Sequence, residues 1–263
     1  MVSYKKHWDG KRGCTPLVAS GSSSLEMLEV DMLSLSAGEV HEGYEGDKET
    51  ALVLLGGTAS VTGKEFAYNG IGARKHVFDG AAAAVYIPRN REFRITAESD
   101  VRLALIKAPA ERDTEPVLIR PEDVLVKELG KPGWQRQAHF ILDERVDANR
   151  LYIGESFVPS GSWASYPPHK HDEDNMPAEG ILEEIYYYEF DRPEGFGIQR
   201  LYSRQGDLDE TFTVKTGDLV ELPRGYHPFC CAPGYQNYYL WIMAGKNRGF
   251  YFTVDPDHQW LNK

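Results

Sequence analysis

The chain has 263 residues, 41% of them hydrophobic, enough to bury a large core in one domain or in two of about 130 residues each. Forty acidic against 29 basic residues leave a net charge of −11, which argues against nucleic acid or an anionic membrane as the main partner but allows a small anionic ligand in a local cationic pocket. No run approaches the ~18 apolar residues of a membrane helix, and Met1-Val2-Ser3-Tyr4-Lys5-Lys6-His7 lacks the apolar core of a signal peptide. Cys14 stands alone and Cys230-Cys231 are adjacent, neither a disulfide framework nor a CxxC pair, so the expectation is a cytoplasmic protein with free thiols.

Helix-period stretches are scarce. Short β-rich runs recur instead: Leu33-Ser34-Leu35, Ala51-Leu52-Val53-Leu54-Leu55, Ala84-Val85-Tyr86-Ile87 and Val101-Arg102-Leu103-Ala104-Leu105-Ile106. Most are bounded by Gly, Pro, Asn or Asp, the pattern of an all-β sandwich or barrel. After Ala108-Pro109-Ala110 the polar Glu111-Arg112-Asp113-Thr114-Glu115-Pro116 reads as a connector, dividing the chain into residues 1–110 and 111–263. Further strands follow at Tyr152-Ile153-Gly154-Glu155-Ser156-Phe157, Tyr186-Tyr187-Tyr188-Glu189-Phe190 and Asn237-Tyr238-Tyr239-Leu240-Trp241-Ile242.

The two halves share a skeleton. Each has a glycine opening a strand (Gly38; Gly161), a polar segment (41–49; 169–184), a β-rich run and a late proline turn (Ile87-Pro88-Arg89-Asn90; Leu222-Pro223-Arg224-Gly225). Two related β-barrels are expected, packed through a large apolar interface, with the metal-ligating residues confined to the second.

His169 and His171 in Pro167-Pro168-His169-Lys170-His171 are spaced so that both point to one face of a strand and can grip one ion. One of the adjacent carboxylates Glu183 and Glu184, together with His227, completes a set of imidazoles and carboxylate suited to a borderline divalent ion with open positions. His41, His76 and His139 have no HxH partner, so the first half reads as a metal-free scaffold. No Gly-rich dinucleotide fingerprint follows a strand, and neither NAD nor flavin is expected.

The series Gly161…His169-Lys170-His171…Glu184, then Gly217…Pro223-Arg224-Gly225…His227, resembles the two motifs of the cupin superfamily. Two departures are the longer gap between His171 and the glutamate and the single residue between Gly225 and His227. With Leu182-Glu183-Glu184-Ile185-Tyr186-Tyr187-Tyr188, Gly195-Phe196-Gly197-Ile198-Gln199-Arg200, Tyr226-His227-Pro228, Met243-Ala244-Gly245 and Asp255-Pro256-Asp257-His258…Trp260, the chain closely resembles the 5-deoxy-glucuronate isomerase family of myo-inositol breakdown. It runs only a few residues past Trp260, fewer than the resemblance leads one to expect.

The resemblance implies an all-β bicupin of two antiparallel barrels. It further implies an aldose–ketose isomerase converting 5-deoxy-D-glucuronate to 5-dehydro-2-deoxy-D-gluconate. The implied cofactor is one divalent metal on His169, His171, Glu184 and His227, zinc first, with manganese or iron as alternatives. Glu184 is preferred to Glu183 because the cupin glutamate is usually followed by Ile or Val and then an aromatic, as in Glu184-Ile185-Tyr186. Isomerisation needs a base to carry a proton between neighbouring carbons, and Lys170, Tyr186 and Tyr188 are the named candidates, with Glu155, Asp209 and Glu210 as other carboxylates. Arg200 and Arg248 are the candidates for the substrate carboxylate, which a bidentate guanidinium suits best. His258 and Trp260 read as packing residues. Two rival classes could use the same ligands, a cupin dioxygenase and a non-catalytic sugar-binding or regulatory bicupin; the segments around Glu184, His227 and Met243 favour the isomerase. A homo-oligomer is compatible with the sequence.

Overall fold

The β-rich runs become strands. The structure, a computed structural model, describes residues 4–19 and 21–262, and each run named above lies in a strand: Glu29–Leu35, Lys48–Gly56, Ala84–Ile87, Val101–Pro109, Leu151–Val158, Glu183–Phe190 and Asn237–Ala244. The helical segments are two 3-10 turns, Pro121–Asp123 and Pro256–Asn262, and no helix among the described residues is long and apolar enough to cross a membrane.

In the first half a six-stranded antiparallel sheet has the order Val117–Ile119, Ala84–Ile87, Lys48–Gly56, Val101–Pro109, Glu29–Leu35, Gly13–Val18. Against it lies a four-stranded sheet ordered Val40–Tyr44, Glu92–Ala97, Ala59–Gly63, Phe66–Ile71. Leu33, Leu52, Leu54, Val61, Phe93 and Leu103 fill the space between them. The second half repeats the plan with a seven-stranded sheet ordered Lys5–His7, Asp218–Leu222, Glu183–Phe190, Asn237–Ala244, Leu151–Val158, Arg136–Leu142, Leu125–Leu129. Its partner sheet is Trp163–Ala164, Phe229–Cys231, Gly197–Tyr202, Asp209–Val214, and a two-stranded ribbon joins His169–Lys170 to Thr253–Val254. The matching landmarks of the two halves adopt like backbone: φ is +85° at Gly38 and +69° at Gly161, and +59° at Asn90 and +88° at Gly225.

The halves trade edges. Lys5–His7, near the start of the chain, pairs with Asp218–Leu222 of the second half, and Val117–Ile119, beyond the polar connector, pairs with Ala84–Ile87 of the first. The two large sheets then stack on a shared apolar core in which Val53, Leu55, Tyr86 and Ile106 meet Ile153, Ile185, Tyr187, Leu240 and Ile242. Both large sheets are thus buried on both faces. Residues 51–55 read as an unbroken apolar run for that reason: Leu52 and Leu54 enter the interior of the first half, and Ala51, Val53 and Leu55 enter the shared core. The packing is close enough at Gly154 that an added Cβ would lie 2.0 Å from the Trp241 ring and 2.4 Å from the His139 carbonyl oxygen.

Buried carboxylates pin this interface by accepting backbone N–H groups from the opposite half. Glu49, fully buried, accepts from Asn149 and Arg150 (2.6 Å each) and Leu151 (2.8 Å), and also from the Tyr86 hydroxyl at 2.8 Å. Glu183 accepts from Glu26, Met27 and Leu28 at 2.7–3.1 Å, and Glu221 accepts the Ser24 N–H and hydroxyl. Arg74 and Glu155 form an ion pair of 3.0 Å with side chains only 2% and 0% exposed. Such groups stabilise only when every partner is in place, because a buried acceptor or donor left unpaired costs about 1–3 kcal/mol.

Glu49→Gln, which turns an NH₂ toward donors that need an acceptor, is expected to lower unfolding free energy by about 2–3 kcal/mol. Tyr86→Phe, which removes one donor only, should cost about 1 kcal/mol. Urea unfolding of both variants checks the order; equal small losses would mean that the 149–151 backbone finds other acceptors.

Candidate metal centre

The strand Glu183–Phe190 runs through the middle of the seven-stranded sheet, so successive side chains enter different environments. Glu184, Tyr186 and Tyr188 point into the interior of the second half, whereas Ile185 and Tyr187 join the shared core and Glu183 holds residues 26–28. The adjacent glutamates are divided by this alternation, and Glu184 is the one that reaches the histidines.

His171, Glu184 and His227 bring ligand atoms within 4.8 Å of one another, all three residues buried. His171 Nδ1–H donates to the Leu182 carbonyl at 2.7 Å, leaving Nε2 3.0 Å from Glu184 Oε2. His227 Nδ1–H donates to the Gly225 carbonyl at 3.0 Å, leaving Nε2 3.1 Å from the same carboxylate oxygen. These tautomers follow from the carbonyl partners. The approach angle of His227 does not make a hydrogen bond, so its buried Nε2 has no donor or acceptor satisfying it. Two imidazole lone pairs and a carboxylate that converge this closely require positive charge among them, either a proton or a cation. The donor set fits a borderline divalent ion, and each imidazole is already oriented by a backbone carbonyl.

The electrostatics agree. Burial opposes ionisation of Glu184, but the close approach and charge of His171 and His227 outweigh it and bring its pKa down to about 2. Burial likewise opposes charge on His171, and Glu184 overcomes it, raising the imidazole above its ordinary range. His169 stands beside the triplet, with its ring 4.8 Å from that of His227 and 6.3 Å from that of His171. Burial, then His227 and His171, hold His169 far below the usual histidine range, which keeps it neutral with a lone pair to offer.

Local structure explains the placement. The ribbon pairs His169 with Val254, and Phe252 lies over His169 with ring centroids 4.6 Å apart. His227 follows the turn at Gly225, where φ is +88° and a Cβ would stand 2.7 Å from the Tyr202 carbonyl oxygen, so a glycine is required. The Gly225 N–H donates to Asp172 at 2.7 Å, which ties the turn carrying His227 to the segment carrying His171.

Of the other sequence candidates, only Tyr186 lines the chamber around the triplet. Its hydroxyl is 2.7 Å from the Ser165 hydroxyl, and burial, then the Glu184 charge, push the phenol well above its ordinary range, so it stays protonated. Tyr188 is turned aside: its hydroxyl donates to Gln199 Oε1 at 2.6 Å, and Gln199 in turn donates to the His227 and Pro228 carbonyls. Lys170 points away from its flanking histidines to Asp172 (2.5 Å), Glu173 (2.7 Å) and Glu179 (2.9 Å). Burial opposes its charge, but these carboxylates raise its pKa above normal, and a lysine held so firmly protonated is a poor base. Arg200 pairs with Asp209 at 3.0 Å and covers the Tyr202 ring on the outer surface. Arg248 is held by the carbonyls of Leu151 (2.6 Å), Val146 (2.9 Å) and Asp143, away from the chamber. Glu155 is committed to Arg74, and His139 bonds Gln137 at 2.8 Å beside it. His258 packs near Tyr166, while Trp260 is 64% exposed.

Among the polar chamber residues that escape sequence reasoning are Arg136 and Ser165. Neither belongs to a spaced motif, and Ser165 is marked only by its positive φ of 51°. The chamber itself is about 20 Å³, and past Arg136, His169, Phe250 and Phe252 it continues into an outer vestibule of about 580 Å³.

Comparison with known proteins places this geometry. The chain is 41% identical over 246 residues to 5-deoxy-glucuronate isomerase of Bacillus licheniformis, covering 93% of this chain and 91% of that protein. It is 39% identical over 256 residues to 5-deoxy-glucuronate isomerase of Geobacillus kaustophilus, covering 97% and 93%. A crystal structure of an IolB-like protein from Salmonella typhimurium superposes with a TM-score of 0.94 at 36% identity, over 98% of this chain and 99% of that one. Oxalate decarboxylase of Lactobacillus farciminis shares the fold alone, with a TM-score of 0.66 at 12% identity over 93% of this chain and 84% of that one. The KduI/IolB family model matches residues 3–261, and the chain belongs to that family.

Proposed function

We propose that this protein interconverts 5-deoxy-D-glucuronate and its ketose isomer, 5-dehydro-2-deoxy-D-gluconate, at the centre formed by His171, Glu184 and His227, with His169 as a fourth ligand to one divalent ion. It is an isomerase of the KduI/IolB family, and relatives at about 40% identity bear the name of this activity. The observation that carries the reading is the buried, unsatisfied His227 Nε2 facing the Glu184 carboxylate that His171 also faces, with Glu184, His171 and His169 lining the chamber beside it. Zinc is the metal proposed, since imidazole and carboxylate suit it and the chemistry needs no change of oxidation state.

When bound, the ion supplies Lewis acidity, polarising the substrate carbonyl and stabilising negative charge that builds on the neighbouring oxygens. The chain's own residues do the rest. Phe250 and Phe252 narrow the passage to the chamber and exclude bulk water, which strengthens every electrostatic interaction inside. Tyr186, kept neutral and hydrogen-bonded to Ser165, has a phenolic O–H to aim at a substrate oxygen, with the neighbouring hydroxyl fixing its orientation. That pair is the proposed hydrogen-bond donor to the substrate oxygen on which negative charge builds as the carbonyl moves to the adjacent carbon. Lys170 serves position, holding the loop that carries His169 and His171 through Glu179, which also accepts the N–H groups of Asp172 and Glu173.

Metal-loaded protein is expected to isomerise 5-deoxy-glucuronate anaerobically with no nicotinamide or flavin. Chelation should abolish turnover and added zinc restore it; an inert metal-replete protein that instead consumed oxygen with another substrate would replace this reading with a dioxygenase. Glu184→Gln and His171→Ala are expected to lose the ion by elemental analysis. Glu183→Gln should keep it while losing about 1–3 kcal/mol of stability, since residues 26–28 lose their full acceptor. The opposite assignment of metal loss between Glu183 and Glu184 would refute the centre described.

Tyr186→Phe should lower kcat by roughly 10²-fold or more with metal content unchanged. Tyr188→Phe, whose hydroxyl is spent on Gln199, should keep kcat within about fivefold and lose about 1 kcal/mol of stability. Steady-state kinetics on both variants separate the roles, and equal kcat losses would assign both tyrosines to structure.

A further inference from the structure

Arg136 lies at the junction of the chamber and the vestibule and lines both. It is partly buried, at the start of the strand Arg136–Leu142. Among the described residues, every other arginine withdrawn from solvent has a charged or carbonyl partner. Arg74, Arg89, Arg91, Arg102 and Arg150 are ion-paired with Glu155, Asp113, Glu65, Glu189 and Glu111, and Arg248 is held by carbonyl oxygens. Among the described residues, no hydrogen bond, ion pair or ring contact holds the Arg136 guanidinium. In a chain of net charge −11 an unpaired, half-buried cation is conspicuous, because forty carboxylates compete for 29 basic residues.

The surroundings define what would pair with it. Of the vestibule carboxylates, Asp143 is paired with Arg145 and Glu144 accepts the Tyr152 hydroxyl, and neither forms an ion pair with Arg136. Aromatic side chains, Phe250 and Phe252 among them, share its walls and lower the local dielectric, which strengthens a charge-assisted pair. His169 lines both the chamber and the vestibule at the same neck as Arg136. The vestibule volume of about 580 Å³ lies in the range that accepts a small organic ligand, whereas the inner chamber of about 20 Å³ admits only a small reacting end.

We infer that Arg136 is the residue that binds the carboxylate of a sugar-acid substrate, fixing its acid end at the neck while its carbonyl end enters the chamber. The role assigned to Arg200 or Arg248 from the sequence thus passes to Arg136. This rests on the isomerase reading for the identity of the substrate, but the recognition is of a carboxylate on a polyhydroxy chain and can be measured without turnover. A planar guanidinium with two free N–H edges discriminates an acid from its amide and fixes orientation as well as charge, which a lysine cannot fully reproduce.

The experiment compares wild type, Arg136→Gln and Arg136→Lys, each metal-loaded and each checked for metal content and melting temperature. Gluconate and gluconamide are titrated by calorimetry, and 5-deoxy-glucuronate is assayed for turnover. The expected result is that Arg136→Gln weakens gluconate binding and raises the KM for 5-deoxy-glucuronate by roughly 10–100-fold, leaves gluconamide binding and metal content unchanged, and alters kcat far less. Arg136→Lys should recover part of the gluconate affinity. Equal losses for gluconate and gluconamide, or an unchanged gluconate affinity in Arg136→Gln, would overturn the assignment. A wild type that binds gluconate through Arg136 but leaves 5-deoxy-glucuronate untouched would support the carboxylate site and sink the isomerase reading.

Discussion

One strand carries two obligations. Glu183–Phe190 is buried on both faces, with Glu184 committed to two histidines on one side and Glu183 committed to three backbone N–H groups of the first half on the other. Because side chains alternate with period two, a register slip of one residue would put one glutamate in the other's place and leave the remaining set of partners facing the apolar Leu182 or Ile185. The antiparallel partners Asn237–Ala244 and Asp218–Leu222 pair with it on both edges, setting Glu184 opposite Met243 and Leu222. The position of the centre and the docking of the two halves are therefore one constraint, imposed on adjacent residues.

The same device recurs across the interface between halves. Glu49 and Glu221, each fully buried, accept N–H groups from the opposite half, and Glu155 meets Arg74 there. The apolar core between the large sheets supplies the bulk of the attraction, but area alone is indifferent to sliding. Hydrogen bonds from successive N–H groups to one carboxylate permit only one offset between the stacked sheets. A burial-driven contact thereby becomes a rigid platform, and the exchanged edges at Lys5–His7 and Val117–Ile119 extend it. The first half contributes no ligand to the triplet; it holds the sheet on which Glu184 sits.

Around the centre, orientation is supplied by backbone carbonyls and by charges on the side away from it. Leu182 and Gly225 each accept an imidazole N–H and so aim the opposite nitrogen inward. Asp172 couples the two ligand-bearing segments through Gly225, and Lys170 draws Asp172, Glu173 and Glu179 together behind them. Tyr188 and Gln199 anchor the carbonyls of the His227 turn. Residues named in the sequence as chemical candidates thus become supports, because a polar side chain beside a ligand serves equally well to hold it.

The all-β class was legible in the amino-acid order because runs of β-rich residues between Gly, Pro, Asn and Asp leave the backbone little else to form. The convergence of His171, Glu184 and His227 with His169 beside them was legible too, since side chains that meet from strands and tight turns must keep fixed spacing, and the paired landmarks at Gly38 and Gly161 and at Asn90 and Gly225 share left-handed backbone. Spacing carries no information about groups that act alone. Arg136 and Ser165 reach the chamber only because the Arg136–Leu142 strand and the turn after Trp163–Ala164 are folded against it, while Arg200 and Arg248 find partners elsewhere. The exchange of edge strands was equally hidden, because Lys5-Lys6-His7 and Val117-Leu118-Ile119 are too short to declare a partner and pair with whichever sheet edge the core brings beside them. Local pattern determines what a segment becomes and which ligands stand in register; the charge that lies free, and the surface it faces, are decided only when distant segments compete for the same carboxylates.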